Sequence, residues 1–382
     1  MNIVFFSIPA WGHTNPTVEV VRELRRRGHG VRYYSFTPFQ KVLEEAGADV
    51  ILCDDFLPPQ PEDLDERMGK DFACLIEMVT ETTLALDEKV TAELTAFPPD
   101  VIVSDSVCFW GKLFARKLRV PYVCSTTTFA FNRETAGAVK PTGTELLYSI
   151  LGIPRIGRCV KRLRSHGHPV ENFLDLIQND NETDTIVYTS RSFQPRAETF
   201  SSRYSFVGPS LRELPEEMEP KERPLVYISL GTLLFDRPDF YRACAKALED
   251  LDIDVILSTG KEMDFTDLPE NFRAFPRVDQ LAVLRRTDVF LTHCGMNSAN
   301  EAIWFGVPTV LYPLHSEEEA VAARMDALGL GLRLKDETAI RTAVETVLRD
   351  PQYRENTRRL AAEFHACGGA KAAADKIESC AG

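Results

Sequence analysis

The stretch Leu291-Thr-His-Cys-Gly-Met-Asn-Ser-Ala-Asn-Glu301 carries more information than any other part of this 382-residue chain. A short apolar run, Val289-Phe-Leu, leads into it, and Ala302-Ile-Trp-Phe-Gly306-Val-Pro follows, reading as the end of a helix closed at Gly306. The pattern is therefore strand, turn, helix. A glycine followed by Asn and Ser at a helix start offers backbone N–H groups, small side chains and the positive end of the helix dipole, which is what an anionic phosphate requires. His293 adds a donor just ahead of that end, and Glu301 lies further along the same helix. An ordinary structural reading is equally open on these residues alone: Asn297 or Ser298 caps the helix and nothing binds.

The order of residues reaches beyond one turn. His293-Cys-Gly295-x-Asn297-Ser298-x-x-Glu301, then Gly306-Val-Pro and Pro313, resembles the donor-binding segment of UDP-dependent glycosyltransferases. The resemblance continues upstream in Pro276-Arg-Val-Asp-Gln-Leu-Ala-Val-Leu284 and in Ser229-Leu-Gly-Thr232. It reaches the N-terminus in Ile8-Pro-Ala-Trp-Gly-His-Thr-Asn-Pro16. Nearly the whole chain is covered, in the family's order, and the bacterial macrolide-type members are the nearest in pattern. The resemblance implies an α/β protein of the GT-B fold, two Rossmann-like doubly wound parallel-sheet domains facing a central cleft.

Bulk properties agree with that size and class. The chain is long enough for two domains, each with its own core, and 44% hydrophobic with 26% charged residues is ordinary for a globular protein. A net charge of −13 argues against nucleic acid or an anionic membrane surface as a general partner. An anionic sugar nucleotide then needs a local positive site. Nine cysteines without a C-x-x-C pair signal neither zinc nor a disulfide framework, and with no secretion signal they point to a reducing cytoplasm. The apolar start, Met1 to Ile8, is too short to span a bilayer and reads as a buried strand.

Strand and helix alternate along the first hundred residues. Strands are expected at Ile3–Ile8, Gly30–Ser35 and Asp49–Cys53, with helices at Asn15–Arg27 and Pro38–Ala46. Val101–Ser104 and Tyr122–Ser125 are strands flanking a helix at Trp110–Leu118. From about Asn132 to Asn181 the pattern is less regular, and the basic run from Lys161 reads as a solvated helix end. The Glu- and Pro-rich residues 211–224 form a linker. The alternation then restarts, which divides the chain into an acceptor domain (1–210), a nucleotide-sugar domain (225–360) and a C-terminal helix (361–382) packing back on the first. In such folds ligands bind outside the carboxyl ends of the strands. His13, Asp105, Gly231 and His293 all follow expected strands, so one cleft between the domains is expected to receive them.

Specific roles come from the resemblance. His13 matches the general base that takes a proton from the acceptor hydroxyl, suited to it by an imidazole that titrates near neutrality. Asp105 matches the aspartate that fixes the tautomer of that histidine and stabilises its cation. Without the family, His13 reads first as a helix cap, and for Asp105 an N-cap of the next helix is the alternative. The backbone at Val278 is assigned to the uracil edge, Gln280 to the nucleotide, His293 and the N–H groups from Gly295 to Ser298 to the diphosphate, and Glu301 to the ribose diol. Gly231 and Thr232 form a turn approaching the phosphates. Glu317 matches a sugar-binding acid. Glu318 stands where the resembled enzymes carry Gln, and two acids there are expected to repel a uronic acid donor; the alternative reading of Glu317–Glu319 is a charged first helical turn. Cys294 as a nucleophile is disfavoured. Trp11, Phe129 and Phe131 are the expected acceptor wall.

These readings combine into an inverting transfer of a hexose from a UDP-sugar to a hydroxyl of a small hydrophobic acceptor. It is expected to need no metal or other cofactor, and the enzyme to be a monomer or homodimer. The competing readings are a UDP-sugar epimerase of the same architecture and a non-enzymatic nucleotide-binding subunit.

Overall fold

The computed structural model describes residues 1–57, 72–136, 143–172, 181–216, 221–231, 237–263 and 268–381. Two compact units form within it. One comprises Met1–Tyr188, Arg196–Ser210 and Gly368–Gly382; the other comprises Thr189–Pro195 and Leu211–Cys367.

The first unit is built on seven parallel strands: β1 (Asn2–Phe6), β2 (Gly30–Ser35), β3 (Asp49–Leu52), β4 (Val101–Asp105), β5 (Tyr122–Thr126), β6 (Thr185–Val187) and β7 (Tyr204–Phe206), in the order β3-β2-β1-β4-β5-β6-β7. The second has six: β8 (Leu225–Ser229), β9 (Asp254–Ser258), β10 (Phe272–Phe275), β11 (Val289–Thr292), β12 (Thr309–Leu311) and β13 (Gly331–Arg333), in the order β10-β9-β8-β11-β12-β13. Every pairing is parallel. Parallel strands covered on both faces need unbroken apolar runs rather than alternation. Ile3-Val-Phe-Phe6, Val101-Ile-Val103 and Val226-Tyr-Ile228 supply them, each fully or almost fully buried. The two sheets repeat one order, so each has a switch point where strand progression reverses: between β1 and β4, and between β8 and β11. These are the places where such sheets leave a crevice for ligands.

Helices α1 (Trp11–Arg26), α2 (Gln40–Glu45), α3 (Phe72–Ala96), α4 (Phe109–Leu118) and α5 (Gly143–Ser165) belong to the first unit. The second carries α6 (Pro238–Leu248), α7 (Gln280–Leu284), α8 (Met296–Trp304), α9 (Ser316–Ala327), α10 (Ile340–Arg349) and α11 (Pro351–His365). Helix α1 begins four residues ahead of the expected Asn15. Extended Ala10 is its N-cap and accepts from the N–H groups of His13 and Thr14, which places Pro16 inside the helix. The irregular reading of the middle is also corrected, because α5 runs through Gly152 and Pro154.

The last helix, α12 (Gly369–Ala381), follows α11 after Ala366, Cys367 and Gly368, and Gly368 and Gly369 at this junction are both at positive φ. The chain therefore returns to the first unit at residue 368, and residues 361–367 stay with the second, the boundary being set by this glycine pair rather than at 361. Helix α12 buries Ala373, Ala374 and Ile377 completely in the first unit's core. Burying the Ile377 side chain alone contributes about 2 kcal/mol. Around this apolar face Arg27 donates to Asp375 and Glu378 at 2.6 Å each, and His29 pairs with Glu378 at 2.6 Å.

Candidate active site

At the first unit's switch point the carboxyl ends of β1 and β4 lie side by side, in a register that pairs Phe6 with Ser104. The chain leaves β1, turns through Ile8-Pro-Ala10 and enters α1, so His13 stands in the helix's first turn. Asp105 is the last residue of β4. His13 Nδ1 lies 2.8 Å from Asp105 Oδ2, and the other carboxylate oxygen accepts from the Val107 N–H at 2.9 Å. Asp105 is 2% exposed. A carboxylate so enclosed needs partners, and a backbone N–H and an imidazole provide them. It therefore caps its own turn and the histidine, not α4, whose N-cap is Cys108. With a carboxylate on Nδ1, that nitrogen carries the proton, and Nε2 is left as the basic position. A third group was not read from the sequence: Thr127 Oγ1, just beyond β5, lies 3.0 Å from the same Nδ1. One threonine in the run Ser125-Thr-Thr-Thr128 carries no motif; only the parallel register of β4 and β5 brings it here.

The second unit's switch point holds the segment that opened the sequence reading. Strand β11 ends at Thr292, and Cys294 adopts φ +70, a left-handed conformation that costs an L-residue about 1–2 kcal/mol. This turn aims the chain into α8, whose N-cap is Gly295 and whose end no side chain caps. Asn297 and Ser298 occupy its first turn. Cys294 lies on the turn, not on a strand end; its thiol is fully buried and pushed well above the ordinary range by burial, which leaves it inert.

His293 is gripped by glycines. A Cβ on Gly231 would meet its Cε1 and Nε2 at 2.6 Å, and one on Gly295 would meet Nε2 at 2.5 Å. Gly231 also sits at φ +80 and donates to Ser229 Oγ at 3.3 Å. The glycine of Ser229-Leu-Gly231 is thus required by the close approach of the imidazole as well as by the turn. Burial lowers the pKa of His293 to about 4, against an opposing influence of the Ser229 backbone, although no hydrogen bond of ordinary geometry forms at its Nδ1. His293 is neutral at physiological pH and acts as a dipole, not a cation.

Glu301, one helix turn beyond Ser298, joins a small network. Gln280 Nε2 donates to Glu301 Oε2 at 2.6 Å and to Ser298 Oγ at 3.2 Å, while Tyr227 donates to Gln280 Oε1 at 3.0 Å. Burial raises the carboxyl of Glu301 to about 7; the Gln280 bond opposes that shift. Asp279 caps α7 by accepting from the Ala282 N–H, which fixes Gln280 as the helix's first residue. Val278 precedes this cap and packs against the cluster of Tyr227, Leu284 and Phe290.

The remaining expected residues divide. Thr232 lies outside the described residues. Glu317 is exposed in the first turn of α9. Glu318 Oε2 accepts from the N–H groups of Leu314 at 2.7 Å and His315 at 3.0 Å, so this oxygen closes the start of α9. A carboxylate suits this place, because it accepts two N–H bonds at an end where the dipole favours negative charge. Trp11 opens α1 and packs edge-on against Phe39 with centroids 4.7 Å apart; Phe129 is 6% exposed, and Phe131 is 59% exposed. Of the three aromatics, only Phe131 offers most of its surface. Among the described residues no three His, Cys, Asp or Glu side chains gather to hold a metal, and no helix is long and apolar enough to cross a membrane.

Two doubly wound units, one with a partly exposed His13 held on the buried Asp105 and one with a helix start that no side chain caps, define the class of protein, and comparison with known proteins places it further. Residues 208–367 match the family model described as UDP-glucoronosyl and UDP-glucosyl transferase. The NDP-glycosyltransferase YjiC of Bacillus subtilis (strain 168) is 34% identical over 389 residues, covering 99% of this chain and 97% of that protein. The demethyllactenocin mycarosyltransferase of Streptomyces fradiae is 32% identical, covering 99% of this chain and 86% of that protein. Among solved structures, the glycotransferase of kitacinnamycin superposes with a TM-score of 0.85 at 27% identity, over 99% of this chain and 98% of that one. The calicheamicin glycosyltransferase CalG4 gives 0.76 at 30% identity, over 99% and 97%. The chain belongs to the UDP-glucoronosyl and UDP-glucosyl transferase family, and it is a glycosyltransferase of the GT-B fold.

Proposed function

We propose that this enzyme transfers a hexose from a UDP-sugar to a hydroxyl of a small hydrophobic acceptor with inversion at the anomeric carbon. The observation that carries the reading is the His13–Asp105 pair: a buried carboxylate 2.8 Å from Nδ1 leaves Nε2 as the only basic position on the ring. In the proposed reaction Nε2 takes the acceptor's hydroxyl proton, and the oxygen attacks C1 of the donor sugar. The C1–O bond to the nucleoside diphosphate breaks, and both its electrons leave with the diphosphate. One displacement converts an α-linked donor to a β-glycoside.

The leaving group gains negative charge as the bond breaks. The N-terminus of α8 and the neutral His293, as a hydrogen-bond donor, are suited to stabilise it, which supports a reaction without a metal. Glu301, tied to Gln280, suits a 2′,3′-diol and therefore favours UDP over a 2′-deoxy donor. Phe131, exposed, fits the acceptor side. None of the nine cysteines forms a disulfide, which fits a cytoplasmic setting.

A donor-by-acceptor screen read by mass spectrometry tests the reading, with UDP-glucose and dTDP-glucose as matched donors and flavonol and macrolide acceptors. The expected product is a β-glycoside, formed faster from UDP-glucose and unaffected by chelator. An α-glycoside, or activity lost to chelator and restored by Mg²⁺, overturns the mechanism. Turnover of UDP-glucose to an epimer without acceptor overturns the reaction class.

A further inference from the structure

We infer that Thr127 is a positioning residue for the base, holding the Nδ1–H of His13 together with Asp105. The inference rests on the reading of His13 as base given above.

Two oxygens approach one ring nitrogen: Asp105 Oδ2 at 2.8 Å and Thr127 Oγ1 at 3.0 Å. If Nδ1 carried a lone pair, it would face a carboxylate oxygen at 2.8 Å with no proton between them. The proton therefore sits on Nδ1, and the threonine oxygen is a second acceptor in a three-centre bond. The charged acceptor forms the stronger half. What Thr127 adds is direction. A single hydrogen bond lets an imidazole swing about the N–H axis, whereas acceptors at the ends of two neighbouring strands, the last residue of β4 and the first beyond β5, fix the ring plane. Both are anchored: Asp105 through its other oxygen to the Val107 N–H, Thr127 by 2% exposure immediately beyond β5. Ring orientation decides where the Nε2 lone pair points, and proton abstraction depends on that direction.

The residue's own hydroxyl, and not its bulk, is the claim, so Val and Ser variants separate the two. Initial rates are measured for wild type, Thr127→Val, Thr127→Ser, Asp105→Asn, the Asp105→Asn/Thr127→Val double variant and His13→Ala, with UDP-glucose and a flavonol. Loss of one neutral acceptor is expected to lower kcat about fivefold in Thr127→Val, with both KM values within about twofold. Thr127→Ser is expected to restore wild-type kcat. Because the two acceptors back each other on one donor, the double variant is expected to lose more than the product of the single losses. A wild-type kcat in Thr127→Val, equal loss in Val and Ser variants, a loss confined to KM, or losses that simply multiply would each overturn the role of Thr127. The base reading fails separately: it falls if His13→Ala turns over normally, and stands if His13→Ala is inactive while Thr127→Val is unaffected.

Discussion

Replacing Glu301 with Gln should change how donor binding depends on pH. Burial raises the carboxyl of Glu301 to about 7 in the donor-free protein, from an ordinary value of 4.5. A protonated carboxyl competes poorly as an acceptor for two ribose hydroxyls, so the carboxylate is the binding form. With a pKa near 7, about a tenth of the protein carries that form at pH 6 and about nine-tenths at pH 8. The KM for UDP-glucose should therefore fall about tenfold between those values. The donor's diphosphate is doubly esterified and does not titrate there, and His293, near 4, is neutral throughout. Stability moves in the opposite sense. The folded protein holds a proton that the unfolded chain releases near 4.5, so Glu301 costs stability progressively as pH rises from about 4.5 to about 7. Glu301→Gln removes that cost and should stabilise the donor-free enzyme above neutrality by up to about 3 kcal/mol, read by denaturant titration at pH 8. Its donor KM should be high and flat with pH. A wild-type KM that does not change from pH 6 to 8, or a variant that keeps the wild-type slope, refutes the reasoning.

Asp105→Asn is expected to lower kcat by about a hundredfold or more with little change in donor KM, since it removes the charge that orients His13 and stabilises its cation; steady-state rates at saturating donor test this. His293→Ala should lower kcat by about a hundredfold, through lost stabilisation of the departing diphosphate, and the loss should be smaller for donors with better leaving groups. Gly231→Ala strains a residue at φ +80 and pushes a methyl into the His293 ring, so donor KM should rise and thermal stability fall together, as calorimetry with and without UDP will read. Truncation at Cys367 removes α12 and uncovers the core face that Ala373, Ala374 and Ile377 fill; the first unit's melting transition should drop or disappear.

Much of this was legible in the sequence because parallel strands and motif turns are local signals. The apolar runs of β4 and β11 and the glycines at 231, 295 and 306 sit where they were expected, β1 ends at Phe6 and not at Ile8, and the family resemblance supplied the order. What escaped notice had physical reasons. Helix α3 reads Thr-Glu-Thr-Thr at its centre, a β-branched run that hides helical periodicity, and α5 contains Gly152 and Pro154, which punctuate its sequence without ending it. Strand β13 is three residues long. Helix α1 starts early because the backbone of Ala10, with no capping side chain, begins it. Within the site, Thr127 depends on strand register, which leaves no trace in residue type, whereas the acidic run Glu317–Glu319 did read as a charged first helical turn. The Gly231–His293 contact likewise joins residues 62 positions apart that only the pairing of β8 with β11 makes neighbours.

The central claim is that His13 is the proton acceptor in sugar transfer. Purified His13→Ala, shown to be folded by its melting curve and to bind UDP as wild type does, is assayed as a single chain with UDP-glucose and a flavonol. The account predicts a fall in kcat of at least about a thousandfold with donor affinity retained. Turnover within about tenfold of wild type would contradict it.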